Sequence, residues 1–179
     1  MPDISSTLSL ARTLLLPDDG QADKSIELIV QLLECSPAPF SRDHFTPGHI
    51  TCSGMVLAPN ECAILIVHHR RLERWLLPGG HVEASDVSIV DAARREVIEE
   101  TGANINEWSL LAGADVHGIP AKRGEPYHLH HDFLFAFQAT DDAIQVSEES
   151  HAVAWCSPEE FEKYAIPANV RRAFDRVAG

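Results

Sequence analysis

Apolar positions recur at helical spacing over residues 4–16 and again over 23–35, where Ile26, Ile29, Val30 and Leu33 fall on one stripe. The stretch SPAPF at 36–40 breaks that pattern. From His49 the spacing turns to that of strands. HITCSGMVLA (49–58) and CAILIVHH (62–69) flank the turn residues PNE, which predicts a hairpin. RWLLPGG (74–80) reads as a short strand ending in a glycine turn. A helix is predicted from about Val87 to Thr101, with Asp86 or Ser85 as its cap and Gly102 placed to end it. Strands follow at 108–119, 128–139 and 152–156, and two short helices close the chain. In the second of these, Pro167 stands near the start, and Val170, Phe174 and Val177 share a stripe. Strands with interspersed helices predict an α/β layered domain on a mixed sheet. Residues 1–45 form a helical extension without recognisable chemistry, a packing arm by default and a dimer or lid element as the alternative. Residues 46–179 form the main domain.

The chain has 179 residues, enough to bury a core in one ordinary domain. It carries 14 basic and 27 acidic residues, so its formal charge is 14 − 27 = −13. Such a surface repels nucleic acid and anionic lipid, and neither is an expected partner. A small anionic substrate would need a cation to bridge it. The N-terminus MPDISSTLSL lacks the basic and apolar regions of a signal peptide, and runs such as AILIV (63–67) are too short to span a bilayer, so a cytoplasmic location is expected. Cys35, Cys52, Cys62 and Cys156 have no paired spacing and read as isolated thiols.

Against this background RREVIEETGA (94–103) adds three more negative charges in five positions. On a helix, Glu96, Glu99 and Glu100 fall within an arc of about 100°, and like charges at that spacing repel by a few tenths of a kcal/mol per pair. Val90, Ala93 and Val97 make a separate apolar stripe, so packing does not force the glutamates onto their face. A solvated acidic face is one reading. The other is a carboxylate cluster for a hard divalent cation, Mg²⁺ or Mn²⁺, which would relieve the repulsion and bridge a phosphate.

The stretch GGHVEASDVSIVDAARREVIEETGA (79–103) resembles the Nudix hydrolase signature, G-x(5)-E-x(7)-R-E-U-x-E-E-x-G-U with U a bulky aliphatic residue. Gly80, Arg95, Glu96, Val97, Glu99, Glu100 and Gly102 match it. Asp86 stands where the family has glutamate, eight residues rather than seven separate it from Arg95, and Ala103 is smaller than usual. WLLPGGHVE and ESHAVAWCSPEEF (149–161) extend the resemblance to about residues 48–165. It implies a Nudix-type α/β/α sandwich with a mixed sheet. It also implies metal-dependent hydrolysis of a nucleoside diphosphate linked to another group, with water attacking phosphorus. Glu96, Glu99 and Glu100 would be metal ligands, Glu96 or Glu100 the principal ones, joined by the backbone carbonyl of Gly79. Arg95 would orient a glutamate. Glu96 and Glu149 are both candidates for the general base. Asp86 would help hold the loop. Dimers are a common habit of the family, so a homodimer is one expectation. A nucleotide-sensing domain without turnover, and an isopentenyl-diphosphate-isomerase-like enzyme using Cys52, are the competing functions.

In HLHHDF, strand alternation puts His128, His130 and Asp132 on one face and His131 with Phe133, Phe135 and Phe137 on the other. The first face could line a substrate cleft, face solvent or bind zinc, although ligands in a row on one strand splay at roughly 7 Å between alternate residues. Lys122 and Arg123 in the loop IPAKRGEPY are candidate phosphate contacts. The other basic stretch, HHRRLERW (68–75), reads as a hairpin loop with surface arginines.

Overall fold

The computed structural model describes residues 1–14, 19–122 and 124–178. Among these described residues are a mixed seven-stranded sheet and four α-helices, as the α/β reading expects. The elements are α1 (Ile4–Thr13), α2 (Gly20–Cys35), β1 (Gly48–Leu57), β2 (Ile64–His69), β3 (Arg74–Leu76), β4 (Gly79–His81), α3 (Ile89–Thr101), β5 (Ile105–Ile119), β6 (His128–Ala139), β7 (Ser150–Cys156) and α4 (Ala168–Ala178). The sheet runs β3-β2-β1-β6-β5, with β4 paired to β1 and β7 paired to β2. The chain divides into two compact units, and β1, β4, α3, β5 and β6 contribute residues to both.

The first unit comprises Met1–Cys52, Gly80–Ala92 and Gly113–Phe133. Asp3 caps α1 by accepting from the Ser6 amide at 2.7 Å, and Asp19 caps α2 by accepting from Ala22 at 3.2 Å. The last residues of the first predicted helix, 15 and 16, lie outside the described residues. In α2 the stripe that buries is Ala22, Ser25, Ile29, Leu32 and Leu33; Ile26 and Val30 sit at its margin. Gly48 lets two strands meet closely. A Cβ there would lie 1.8 Å from the Leu129 carbonyl oxygen, so no other residue fits between β1 and the start of β6.

The second unit comprises Ser53–Gly79, Ala93–Ala112 and Leu134–Gly179. Its core follows strand alternation. Met55 and Leu57, Ile64 and Ile66, and Leu134 and Ala136 all turn to a cluster closed by Phe161, Val170, Ala173 and Phe174. The α4 stripe expected from Val170 and Phe174 is thus the face that buries, with Val177 packed at its edge. The first of the two closing helices is a single 3₁₀ turn, Pro158–Glu160. β7 pairs antiparallel with β2 from Ile64↔Cys156 to His69↔Ser150, with a bulge between His68 and His69. PNE is the predicted hairpin turn: the Ala58 amide donates to Ala63 O at 2.9 Å, and Leu57 faces Ile64.

Two expectations need correction. Helix α3 starts at Ile89, not Val87, and neither Asp86 nor Ser85 caps it. The Ser88 hydroxyl accepts from the Asp91 amide at 3.2 Å and donates to the Asp91 carboxylate at 2.7 Å. Val87 therefore stays in the loop, largely exposed. RWLLPGG is also two strands: β3 and β4 are separate, because Pro78 has no amide to continue a ladder.

Candidate active site

Helix α3 divides its glutamates among three environments. Ile89, Ala93, Val97 and Thr101 are buried, and Glu100, three residues past Val97, is buried among them at 4% exposure. Packing therefore does place one carboxylate on the apolar side, against the sequence expectation that all three stand clear of it. Glu96 is mostly covered, with 15% of its side chain exposed, and Glu99 is mostly exposed, at 59%. Arg95 joins the last two. Its Nη1 donates to Glu96 Oε1 and to Glu99 Oε2, each at 2.9 Å. Arg95 thus bridges two carboxylates, where the resemblance implied that it orients one.

Glu100 Oε2 accepts from the Gly79 amide at 3.1 Å. A ring nitrogen of His69 and carboxylate oxygens of Glu100 and Glu149 all lie within 4.8 Å of one another. Burial pushes the Glu100 carboxyl up to about 8; the Gly79 amide opposes that, and Glu96, Glu149 and Glu99 add to it. Burial also raises Glu96, against the pull of Arg95. A carboxyl held above neutrality by burial and by three neighbouring carboxylates is where a hard cation is favoured, and the oxygen donors present fit Mg²⁺ or Mn²⁺.

Gly79, Glu96, Glu99, Glu100 and Glu149 all belong to the second unit. His69 is the residue that sequence reasoning missed. Its signal is alternation, since Leu65, Val67 and His69 share one side of β2, but the charged residues after it made the segment look like a surface loop. The Arg71 amide donates to His69 Nδ1 at 3.0 Å, so the neutral ring carries its proton on Nε2. Burial lowers the pKa of His69, opposed by Glu149.

The remaining predicted residues lie in the first unit, except that Arg123 is outside the described residues. Asp86, 5% exposed, accepts from the Glu83 amide at 2.7 Å and closes a turn with a 3.1 Å bond from its own amide to Glu83 O. The shorter side chain thus does hold its loop. Lys122 is exposed, its backbone bridged to Glu125. Asp132 is buried, and its Oδ1 accepts from the Thr51 hydroxyl at 2.8 Å. His131 is buried with Phe133, on the core side as alternation predicts.

His128 and His130 belong to a stack of histidines that no single strand could announce. His49, His81, His128 and His130 place their ring centroids 4.9–5.3 Å apart in five pairings, and His117 adds a contact to His130 at 5.7 Å. Burial lowers His81 to about 4 and His130 to about 2, with neighbouring histidines adding to both.

Comparison with known proteins places the chain in a family. A family model described as NUDIX domain matches residues 49–177. A curated relative from Lactococcus lactis subsp. cremoris (strain MG1363), named "Probable DHNTP pyrophosphohydrolase", is 31% identical over 146 residues, covering 79% of this chain and 86% of its own. Among solved structures, a NUDIX-family hydrolase from Clostridium perfringens superposes with TM-score 0.52 at 22% identity, covering 72% of this chain and 97% of that one. The NUDIX domain of Shewanella oneidensis NrtR, complexed with ADP ribose, does so with TM-score 0.56 at 15% identity, covering 72% and 87%. The chain belongs to the Nudix family and is a pyrophosphohydrolase of that class.

Proposed function

We propose that this chain hydrolyses the diphosphate linkage of a small nucleoside diphosphate derivative in the cytoplasm, using Mg²⁺ or Mn²⁺. The observation that carries the reading is Glu100, a buried carboxyl pushed up to about 8 and faced by Glu96, Glu99 and Glu149. Glu100 and Glu96 are assigned as principal ligands, with Glu99 and the Gly79 carbonyl completing the set. When bound, such a cation neutralises charge developing on the phosphoryl oxygens and lowers the pKa of a coordinated water. The chain's own residues do the rest. Arg95 fixes Glu96 and Glu99 in place, and the Gly79 amide fixes Glu100. Glu96 and Glu149 are the two candidates to take the proton of the attacking water. His69, with its proton on Nε2, is suited to donating toward a carboxylate rather than to ligation.

Lys122, Arg123, His128, His130 and Asp132 are proposed for substrate recognition, residues 46–179 for the catalytic domain and residues 1–45 for a helical extension that supports it, with the chain working as a homodimer. The name of the Lactococcus relative favours substrates carrying a nucleotide-like polyphosphate. The isomerase alternative loses ground because Cys52 is fully buried.

The test is a panel of nucleoside triphosphates, ADP-ribose, nucleotide sugars, dinucleoside polyphosphates and NADH, each incubated with Mg²⁺, Mn²⁺ or EDTA and read by chromatography. Metal-dependent cleavage of one class, abolished by Glu100→Gln, is expected. Hydrolysis that survives Glu100→Gln unchanged would overturn the assignment.

A further inference from the structure

A second set of ligand atoms, of different chemistry, lies in the first unit. His49 on β1, His81 on β4 and His130 on β6 each offer a ring nitrogen, and these atoms all lie within 4.8 Å of one another. We propose that these three histidines bind a borderline transition-metal ion, Zn²⁺ being the first candidate, independently of the carboxylates on α3.

His49 carries the argument. It is 1% exposed, and its Nε2 has no hydrogen-bond partner. Its Nδ1 faces the His44 carbonyl oxygen at 3.2 Å. A carbonyl can only accept, so the proton sits on Nδ1 and the buried Nε2 presents a bare lone pair. That is the arrangement of a metal-binding imidazole, oriented by a backbone carbonyl through its other nitrogen. A buried acceptor without a donor is otherwise costly, and here the two nearest nitrogen donors to metal are the rings of His81 and His130, with centroids 5.0 and 4.9 Å from that of His49.

The backbone is built for this approach. Only a glycine fits at position 48, against the Leu129 carbonyl, and the Leu129 amide donates to Pro47 O at 2.9 Å. The two residues that follow these contacts are His49 and His130. Their positions are therefore fixed by main chain.

The donor set selects the metal. Three imidazoles with no carboxylate among them suit Zn²⁺, Co²⁺ or Ni²⁺, whereas Mg²⁺ takes oxygen. Nitrogens around tetrahedral zinc are about 3.4 Å apart, from Zn–N bonds of about 2.0–2.1 Å, so the rings need only close in modestly. Three protein ligands leave a fourth position open to water or another oxygen ligand. In this reading His130 holds a metal instead of touching substrate directly. Sequence reasoning kept zinc as one of three readings of the face of His128, His130 and Asp132, with the strand spacing against it, and it could not see a triad drawn from three strands.

The experiment uses the untagged full chain, stripped with chelator and titrated with Co²⁺ in excess Mg²⁺, which keeps the carboxylates occupied. The expected result is an intense ligand-field band of four-coordinate Co²⁺ that saturates at 1:1 and is displaced by Zn²⁺. It should vanish in His81→Ala and His130→Ala and persist in Glu100→Gln. No intense band, or a band lost only in Glu100→Gln, overturns the proposal. Should the histidine variants misfold, X-ray absorption on the unaltered chain loaded with one Zn²⁺ decides. Scattering from three imidazoles supports the site, and an oxygen-only shell rejects it.

Discussion

The amide of Gly79 donates to Oε2 of Glu100 at 3.1 Å, tying the first residue of β4 to the last turn of α3. That bond fixes the one glutamate of the motif that is fully buried. Glu99 is paired with Arg95 at 2.9 Å and is mostly exposed. The two should therefore differ in importance. Glu100→Gln removes the buried carboxylate proposed as a principal ligand and is expected to lower kcat/KM about a thousandfold, since a catalytic cation supplies several kcal/mol of charge stabilisation and each 1.36 kcal/mol is tenfold. Glu99→Gln, losing an exposed ion pair, should stay within about tenfold of the unaltered enzyme. Steady-state rates at saturating Mg²⁺ check the ordering; equal losses would mean the burial difference is irrelevant to catalysis.

The raised pKa of Glu100 has a sign that can be tested without substrate. The groups facing it are Glu96 and Glu99 on α3, Glu149 before β7, His69 at the end of β2 and the Gly79 amide. Burial holds its folded pKa up at about 8, far above the ordinary carboxylate value of about 4.3 that applies in the unfolded chain. Between those values the folded state binds more protons than the unfolded one, so stability is greatest at the acid end and falls as pH rises toward 8. The slope contributed by one such group is at most about 1.4 kcal/mol per pH unit. Buried histidines act in the opposite sense below their ordinary pKa, so the clean window is pH 6.5–8. Denaturant melts in EDTA should show stability declining across it. Glu100→Gln should flatten the decline, as should Mg²⁺, which binds the ionised form. A rise in stability across the window would contradict the burial argument.

Asp86 gives a prediction about the altered part of the motif. Its carboxylate accepts from the Glu83 amide at 2.7 Å inside a turn of the loop before α3. Asp86→Ala is expected to cost about 1.5–3 kcal/mol, in the range of hydrogen bonds to charged groups, and to lower Tm by several degrees. Asp86→Glu restores the family's residue but lengthens the arm across a short turn, and should not exceed the stability of the unaltered chain. A Tm increase in Asp86→Glu would show that the turn accommodates the glutamate after all.

The patterns that carried the sequence reading were local ones. Alternation placed His131 and Phe133 on the core side of β6, and the 3.6-residue period found the buried face of α4 and, through Ala93 and Val97, part of that of α3. The glutamates proposed as metal ligands were legible because a helix brings residues three and four apart together. What escaped was what tertiary structure assembles. His69 joins Glu100 and Glu149 across 31 and 80 positions of sequence, and His49, His81 and His130 come from three strands. The cap of α3 moved to Ser88 because Asp86 was already engaged by the Glu83 amide, a competition between two turns that propensity alone does not rank.

Gly54 links packing to the site. Its amide donates to the Pro78 carbonyl at 2.8 Å, next to Gly79, and a Cβ at this position would lie 2.2 Å from Val97 Cγ2 and 3.3 Å from the Phe137 ring. Val97 is β-branched and fully buried, so it has little freedom to move aside. Gly54→Ala should therefore push on α3 three residues before Glu100, costing about 1–3 kcal/mol by overpacking. If the clash with Val97 is the cause, removing it must help. The pair Gly54→Ala with Val97→Ala should be less destabilised than the sum of the two single changes, and kcat/KM lost in Gly54→Ala should partly return. Denaturation midpoints and rates of the four proteins of the cycle provide the measurement. Strict additivity in both would show that Gly54 acts through something other than its contact with Val97.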